Sequence, residues 1–284
     1  MKNQLSLKRI KNLYLPFASA GIKSELTYKA QIVMWMVISF VEVFFVLFLY
    51  EAIYRNSPGG MGSVINGFTY DDMVLYMITS FVFSFVMGSG DTSYNIGTDI
   101  REGTIANTLT KPVSYRLRHL FTYLGVVALD VVIVMIPLLT VVYGIFIGFG
   151  ILEVEIWRFI LNIIFFLIFT ILACFINDAI SYFVGMMVFY TDHLFGLNMA
   201  KNSLKSFLGG QMVPLSYMGV VGVVFSFTPF AFLNSVPVLT LMGKTEFSEI
   251  IVYILIALAW IFAIELANHL IFSHAMKKLT VQGG

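Results

Sequence analysis

Four carboxylates stand inside long apolar runs: Glu42, Asp130, Asp178 and Glu265. A carboxylate at the centre of a membrane helix costs roughly 2.5–3.5 kcal/mol on insertion scales. Each central Leu, Ile or Phe returns about 0.3–0.6 kcal/mol. A run with a dozen such residues can therefore carry one carboxylate, which explains tolerance but not purpose. Such a group pairs with another charge, faces the interior of a helix bundle, or lines an aqueous path. Lys201 and Lys205 are candidate partners for Asp178. The other readings make some of these six groups the lining of a substrate route, or place a helix limit so that the group lies outside the apolar layer.

Other chemistry is sparse. Gly243-Lys244-Thr245 carries the last three residues of a phosphate-binding loop, but Val238 stands where its first glycine belongs. No H-E-x-x-H motif and no G-x-S-x-G elbow occurs. The single cysteine, Cys174, excludes an intrachain disulfide and a multi-cysteine metal site. His193, His269 and His274 sit near the ends of apolar runs and read as interfacial residues rather than ligands. These observations predict no catalytic residues, no metal and no cofactor in this chain.

The elements that must hold these groups are membrane helices. Of 284 residues, 59% are hydrophobic and 12% charged. A soluble domain carries about 25% charged residues, so this chain has too few to cover a water-facing surface. The net charge of +1 gives no case for nucleic-acid binding. No cleavable signal peptide is evident in the first residues. A crossing needs about 20 mostly apolar residues. Runs at 31–53, 72–92, 119–148, 157–190 and 249–273 meet that length, and 194–212 meets it less well because of Lys201 and Lys205. The stretch 215–242 is apolar but broken by Pro229 and Pro237, and reads as a re-entrant helical hairpin or a kinked crossing.

Lys and Arg set the orientation. Lys2, Lys8, Arg9, Lys11, Lys23 and Lys29 precede the first crossing. Arg101, Lys111, Arg116 and Arg118 follow the second, and Lys277 and Lys278 follow the last. Those segments are expected inside, and a count of about six crossings then puts both termini in the cytoplasm. Residues 5–29 alternate basic and apolar side chains, as in an amphipathic helix on the inner leaflet or a plain basic anchor. Pro16 is expected to start or kink a helical segment there. Gly88-Ser89-Gly90 and Gly209-Gly210 mark either close helix packing or turns.

Residues 95–119, NIGTDIREGTIANTLTKPVSYRLRH, form a polar stretch on the basic side. The pattern predicts a short helix opened by Arg101-Glu102, with Ile105 and Leu109 on one face and Pro112 ending it. Such a helix either offers an apolar knob to something in the cytosol or is an ordinary interfacial loop.

This stretch resembles a family. Arg101-Glu102-Gly103-Thr104, then Leu109, then Lys111-Pro112-Val113-Ser114 is similar to the inner-loop signature of ABC-transporter permeases of the exporter-like ABC-2 (type V) superfamily. The resemblance continues at Gly209-Gly210 ahead of Pro214 and at Pro229-Phe230 ahead of the last crossing. The pattern looks closest to a bacterial subgroup with paired permease chains. It implies an all-α, polytopic single transmembrane domain over 1–284. Within it are an amino-terminal interfacial segment at 1–30, a cytoplasmic coupling loop at 93–118 and an outer re-entrant hairpin at 213–247.

The resemblance also implies a role. Two such chains, as a homodimer or heterodimer among membrane lipids, would form a pore in the plasma membrane, here a bacterial inner membrane. Each would dock a cytoplasmic ABC ATPase through Arg101, Glu102, Gly103, Thr104, Ile105, Leu109 and Pro112. ATP and Mg would reside on that partner, so the chain itself is no enzyme. The expected function is ATP-driven export of a hydrophobic or amphipathic substrate such as a lipid, peptide or drug. The rival is an ion-gradient-driven secondary transporter, which the intramembrane carboxylates would suit but for which no internal repeat is seen. A membrane-embedded enzyme ranks last, because no nucleophile–base pair stands at diagnostic spacing.

Overall fold

A computed structural model describes residues 7–152, 155–191 and 194–278. Every regular element among them is helical. The amino-terminal helix α1 (Leu7–Thr27) runs through Pro16, so the proline does not start it. A turn at Tyr28 leads into α2 (Lys29–Arg55), which is apolar over most of its surface apart from Ser39 and Glu42 at mid-length. The chain then loops to α3 (Tyr70–Gly88), whose start is fixed by a capping box. Asp72 N–H donates to Thr69 Oγ1 at 3.1 Å, and Thr69 N–H donates back to the Asp72 carboxylate at 2.9 Å, satisfying two amides a helix start leaves open. The Tyr54 hydroxyl donates to the Phe68 carbonyl at 2.8 Å and ties α2 to this loop.

After α3 the helix breaks at Ser89-Gly90-Asp91 and resumes as α4 (Thr92–Arg101), capped by Asp91. Where the pattern predicted a loop from about residue 93, the structure therefore carries helix on to Arg101. Then come α5 (Ile105–Leu109) and α6 (Tyr115–Asp130), the latter capped by Ser114. A π-helical turn, Val131–Met135, joins α6 to α7 (Ile136–Gly148). Next are α8 (Ile156–Met186) and α9 (Leu194–Leu208). Two seven-residue helices, α10 (Val220–Ser226) and α11 (Ser235–Leu241), precede the long α12 (Phe247–Lys278).

Five helical stretches, the second interrupted at Ser89-Gly90-Asp91, are long and apolar enough to cross a membrane: Ile32–Arg55, Tyr70–Arg101, Tyr115–Gly148, Ile156–Phe189 and Phe247–Met276. They coincide with the first four expected crossings and the last. The stretch expected at 194–212 is instead a fifteen-residue helix that stops at Leu208, below the length of a crossing. Gly209 and Gly210 follow it, and Gly210 turns the chain with φ of +75°, a conformation that costs a glycine nothing.

The main core lies between α3, α8, α11 and α12 and includes Phe83, Phe166, Phe169 and Phe232. All of α11 is buried, packed on α8 and α3. A second cluster gathers Ile96, Ile105, Tyr115, Tyr182, Met186 and Ala275 at the end of the bundle that carries Arg101 and Arg116. This is called the basic end below. Against it α1 lies along α6: the Tyr14 ring stacks on Phe121 with centroids 5.4 Å apart, and the Tyr14 hydroxyl accepts from the Ser114 amide at 3.0 Å. The two backbones come so close that a Cβ on Gly125 would collide with the Ala18 carbonyl. Small residues at such a contact allow the approach.

Candidate functional site

The polar side chains from the break after α3 to the basic end fall into three groups. The first holds the segment between α4 and α6. Asp99, on the last turn of α4, accepts hydrogen bonds from Thr104 Oγ1 at 3.0 Å and from the Tyr115 hydroxyl at 3.1 Å. His119 Nε2 lies 3.6 Å and Arg118 Nη1 3.9 Å from the same carboxylate, and Arg118 also donates to Thr108 Oγ1 at 2.8 Å. Asp99 therefore fastens the α5 segment to both neighbouring helices.

Within that segment the structure corrects the sequence pattern. Arg101-Glu102 closes α4 rather than opening a helix, because Gly103 adopts φ of +71° and reverses the chain there. Ile105 is not an outward knob. It is 2% exposed, packed in the cluster with Ile96, Tyr115 and Tyr182, because the turn at Gly103 aims the first residue of α5 into the bundle. The exposed positions among the described residues of this segment are Arg101, Glu102, Gly103, Asn107 and Thr110, with Lys111, Pro112 and Ser114 in the turn before α6. Leu109 ends α5, and its side chain lies outside the described residues.

The second group centres on Arg116 at the start of α6. Its guanidinium donates to the Asp178 carboxylate of α8 and, through Nη2 at 2.5 Å and Nε at 3.1 Å, to Glu265 of α12. It also lies 4.8 Å from the centre of the Tyr182 ring. Asp178 is fully buried, and its second oxygen accepts from Thr92 Oγ1 of α4 at 2.6 Å. One arginine thus joins three long helices, and Asp178 adds a fourth. The expected pairing of Asp178 with Lys201 or Lys205 is not what forms. The planar guanidinium presents several donors at once and spans two carboxylates, which an ammonium on α9 does not.

The third group lies where α3 breaks. Lys201 Nζ contacts the Asp91 carboxylate at 2.5 Å and Ser181 Oγ at 3.3 Å. Lys205 donates to Asn177 Oδ1 at 3.0 Å. Among the described residues Lys205 has no carboxylate within ion-pair distance, and Glu42, exposed on α2, has no cation. Glu42, Asp91, Asn177, Lys201 and Lys205 line one cavity of about 350 Å³ between α2, α3, α8 and α9. Asp130 is buried at the end of α6, apart from that cavity, and one of its oxygens has no hydrogen bond among the described residues.

Above this cavity the turn after α9 is held by the core. The Tyr76 hydroxyl donates to the Gly210 carbonyl at 2.5 Å, Ser80 Oγ to Gln211 O at 2.7 Å, and the Tyr50 hydroxyl to Met212 O at 2.9 Å. Ser235 N–H donates to Gly209 O at 2.9 Å. Buried carbonyls outside a helix need such partners. Pro214 leads into a 3-10 turn at Leu215–Met218, and Pro229 opens another at Pro229–Leu233. His269 and His274 are exposed on α12, while His193 lies outside the described residues.

Several of these residues escape a reading of the sequence. Asp91 follows a small-residue cluster and precedes Thr92-Ser93, a helix-start signal that the apolar run obscures. Asp99 and His119 carry no such signal. Arg116 counts only as one more inside charge until α6 is seen to start at Tyr115, which turns its side chain into the bundle.

Residues 40–283, well over half of the chain, match a family model described as ABC-2 family transporter protein. No curated protein and no solved structure matches.

Proposed function

The chain belongs to the ABC-2 transporter family, and from that premise we propose that it is the permease subunit of an ATP-driven exporter. The cargo is a hydrophobic or amphipathic molecule such as a lipid, peptide or drug. The observation that carries this reading is the family match over residues 40–283, which spans all five long helices but the start of the first. The family typically works with an ATPase subunit, and the short exposed segment at the basic end is where we place that contact.

In this reading α9 and the non-helical chain to Pro214 together make a sixth crossing, with α10 and α11 as a re-entrant hairpin on the outer face. The hydrogen bonds from Tyr50, Tyr76 and Ser80 support it, because they satisfy the backbone where the helix stops. Both termini then lie in the cytoplasm of a cell membrane, a bacterial inner membrane, and α1 lies at its inner surface against α6. The whole chain is one transmembrane domain, and two chains, alike or different, enclose the pore. ATP and Mg reside on the partner. Closure of the ATPase pair presses on Arg101–Pro112. Asp99 and Arg116 pass that displacement to α4, α6, α8 and α12. ATP shifts the pore only if it favours one arrangement over the other.

The test is copurification. Glu102→Ala with Leu109→Ala should lose the ATPase while the permease still inserts. An ATPase retained in full, with transport-linked hydrolysis intact, contradicts the assignment.

A further inference from the structure

The cavity between α2, α3, α8 and α9 holds two charges, Glu42 and Lys205, that have no ion-pair partner among the described residues. Glu42 stands about ten residues, or ~15 Å, along the first crossing from Ile32. Trp35, Ile38, Ser39 and Glu42 share one face of α2 and line the cavity together. Across it is Lys205, which donates to the Asn177 amide oxygen and has no carboxylate within ion-pair distance among the described residues. The other two charges of the lining, Asp91 and Lys201, neutralise each other. What remains is one negative and one positive group, both at membrane depth. Each carries a cost of a few kcal/mol when unpaired there.

We infer that this cavity binds the head of a zwitterionic amphipath, its ammonium against Glu42 and its anionic oxygens against Lys205. An anionic head would leave Glu42 unanswered and meet its repulsion, and a cationic head would do the same at Lys205. A head with both charges satisfies both, while Trp35 and the apolar residues of α2 and α3 accommodate the chain below it. The inference rests on the transport reading only in calling such a molecule cargo. Binding is measured on the isolated chain with no ATPase present, so its failure leaves the ATPase contact standing.

The full-length protein in maltoside, with Trp157→Phe and Trp260→Phe so that Trp35 alone reports, is titrated with short-chain phosphatidylethanolamine and with short-chain phosphatidylglycerol. The ethanolamine lipid should saturate the Trp35 signal at about tenfold lower concentration, the loss of roughly one partly buried charge interaction. Glu42→Gln should abolish that preference. Lys205→Met should weaken both lipids alike. An alkyl betaine, which is zwitterionic without phosphate, separates the sources. Binding as tight as the ethanolamine lipid means any zwitterionic amphipath, and none means a phospholipid. Equal binding of the two phospholipids to the unsubstituted cavity, or a preference unchanged in Glu42→Gln, overturns the proposal whatever the variants do to folding.

Discussion

Asp178 is fully buried, and its charge is tolerable only because Arg116 and Thr92 face it. Removing one member of a buried pair strands the other and costs about 3–5 kcal/mol. Glu265 is different: its side chain is 38% exposed, so water replaces part of what Arg116 gives it. Arg116→Met should therefore lower the thermal transition of the purified protein far more than Glu265→Gln. Equal shifts would show that Asp178 is neutral or otherwise partnered. Glu25, on α1 before the first crossing, gives a pH signature. Burial, and then the nearby Asp130 charge, raise its carboxyl above the ordinary 4.5. A raised carboxyl binds its proton more tightly in the folded chain. Its contribution is favourable at low pH and is lost as pH rises from 4.5 through the folded value. Glu25→Gln should therefore gain stability over the parent at neutral pH, with the gain vanishing as pH falls below 4.5. Melting curves across that range check it, and a gain constant with pH contradicts it.

The α5 segment and the turn after α9 are the two elements whose geometry decides the account. Ile105 is core, so Ile105→Ala should destabilise the chain by about 2–5 kcal/mol rather than merely free the ATPase. Glu102→Ala, at an exposed position, should leave the melting temperature within a few degrees. Tyr76→Phe should cost about 1–3 kcal/mol, because it strands the Gly210 carbonyl in the core. A neutral outcome would mean that water reaches the turn. These elements also mark what a sequence yields. Helices α2, α3, α7, α8 and α12 are legible because an unbroken apolar run of crossing length has few other fates. The polar stretch after α3 is legible as a segment, and its family resemblance names its place. Its inward and outward faces are not legible, since they follow from the backbone reversal at Gly103 and not from apolar periodicity. Likewise 194–212 carries enough apolar residues for a crossing, but Gly209-Gly210 ends the helix early. What makes that affordable, hydroxyls on Tyr50, Tyr76 and Ser80, lies far away in the chain.

At the scale of the whole molecule, charge is segregated along the bundle. Asp91 pairs with Lys201, Asp99 faces Arg118 and His119, and Arg116 joins Asp178 to Glu265, drawing on α4, α6, α8, α9 and α12, while α2 presents bare apolar surface along most of its length. Force applied at Arg101–Pro112 would reach the long helices through the groups at Asp99 and Arg116, and that is why the account needs this end in the cytosol. The direct test is thiol labelling. With Cys174→Ala as background, single cysteines at Glu102 and at Met61, in the loop between α2 and α3, are exposed to a membrane-impermeant maleimide. Position 102 should react in inverted vesicles and not in intact cells, with the reverse at position 61. Labelling of position 102 from outside intact cells would contradict the account.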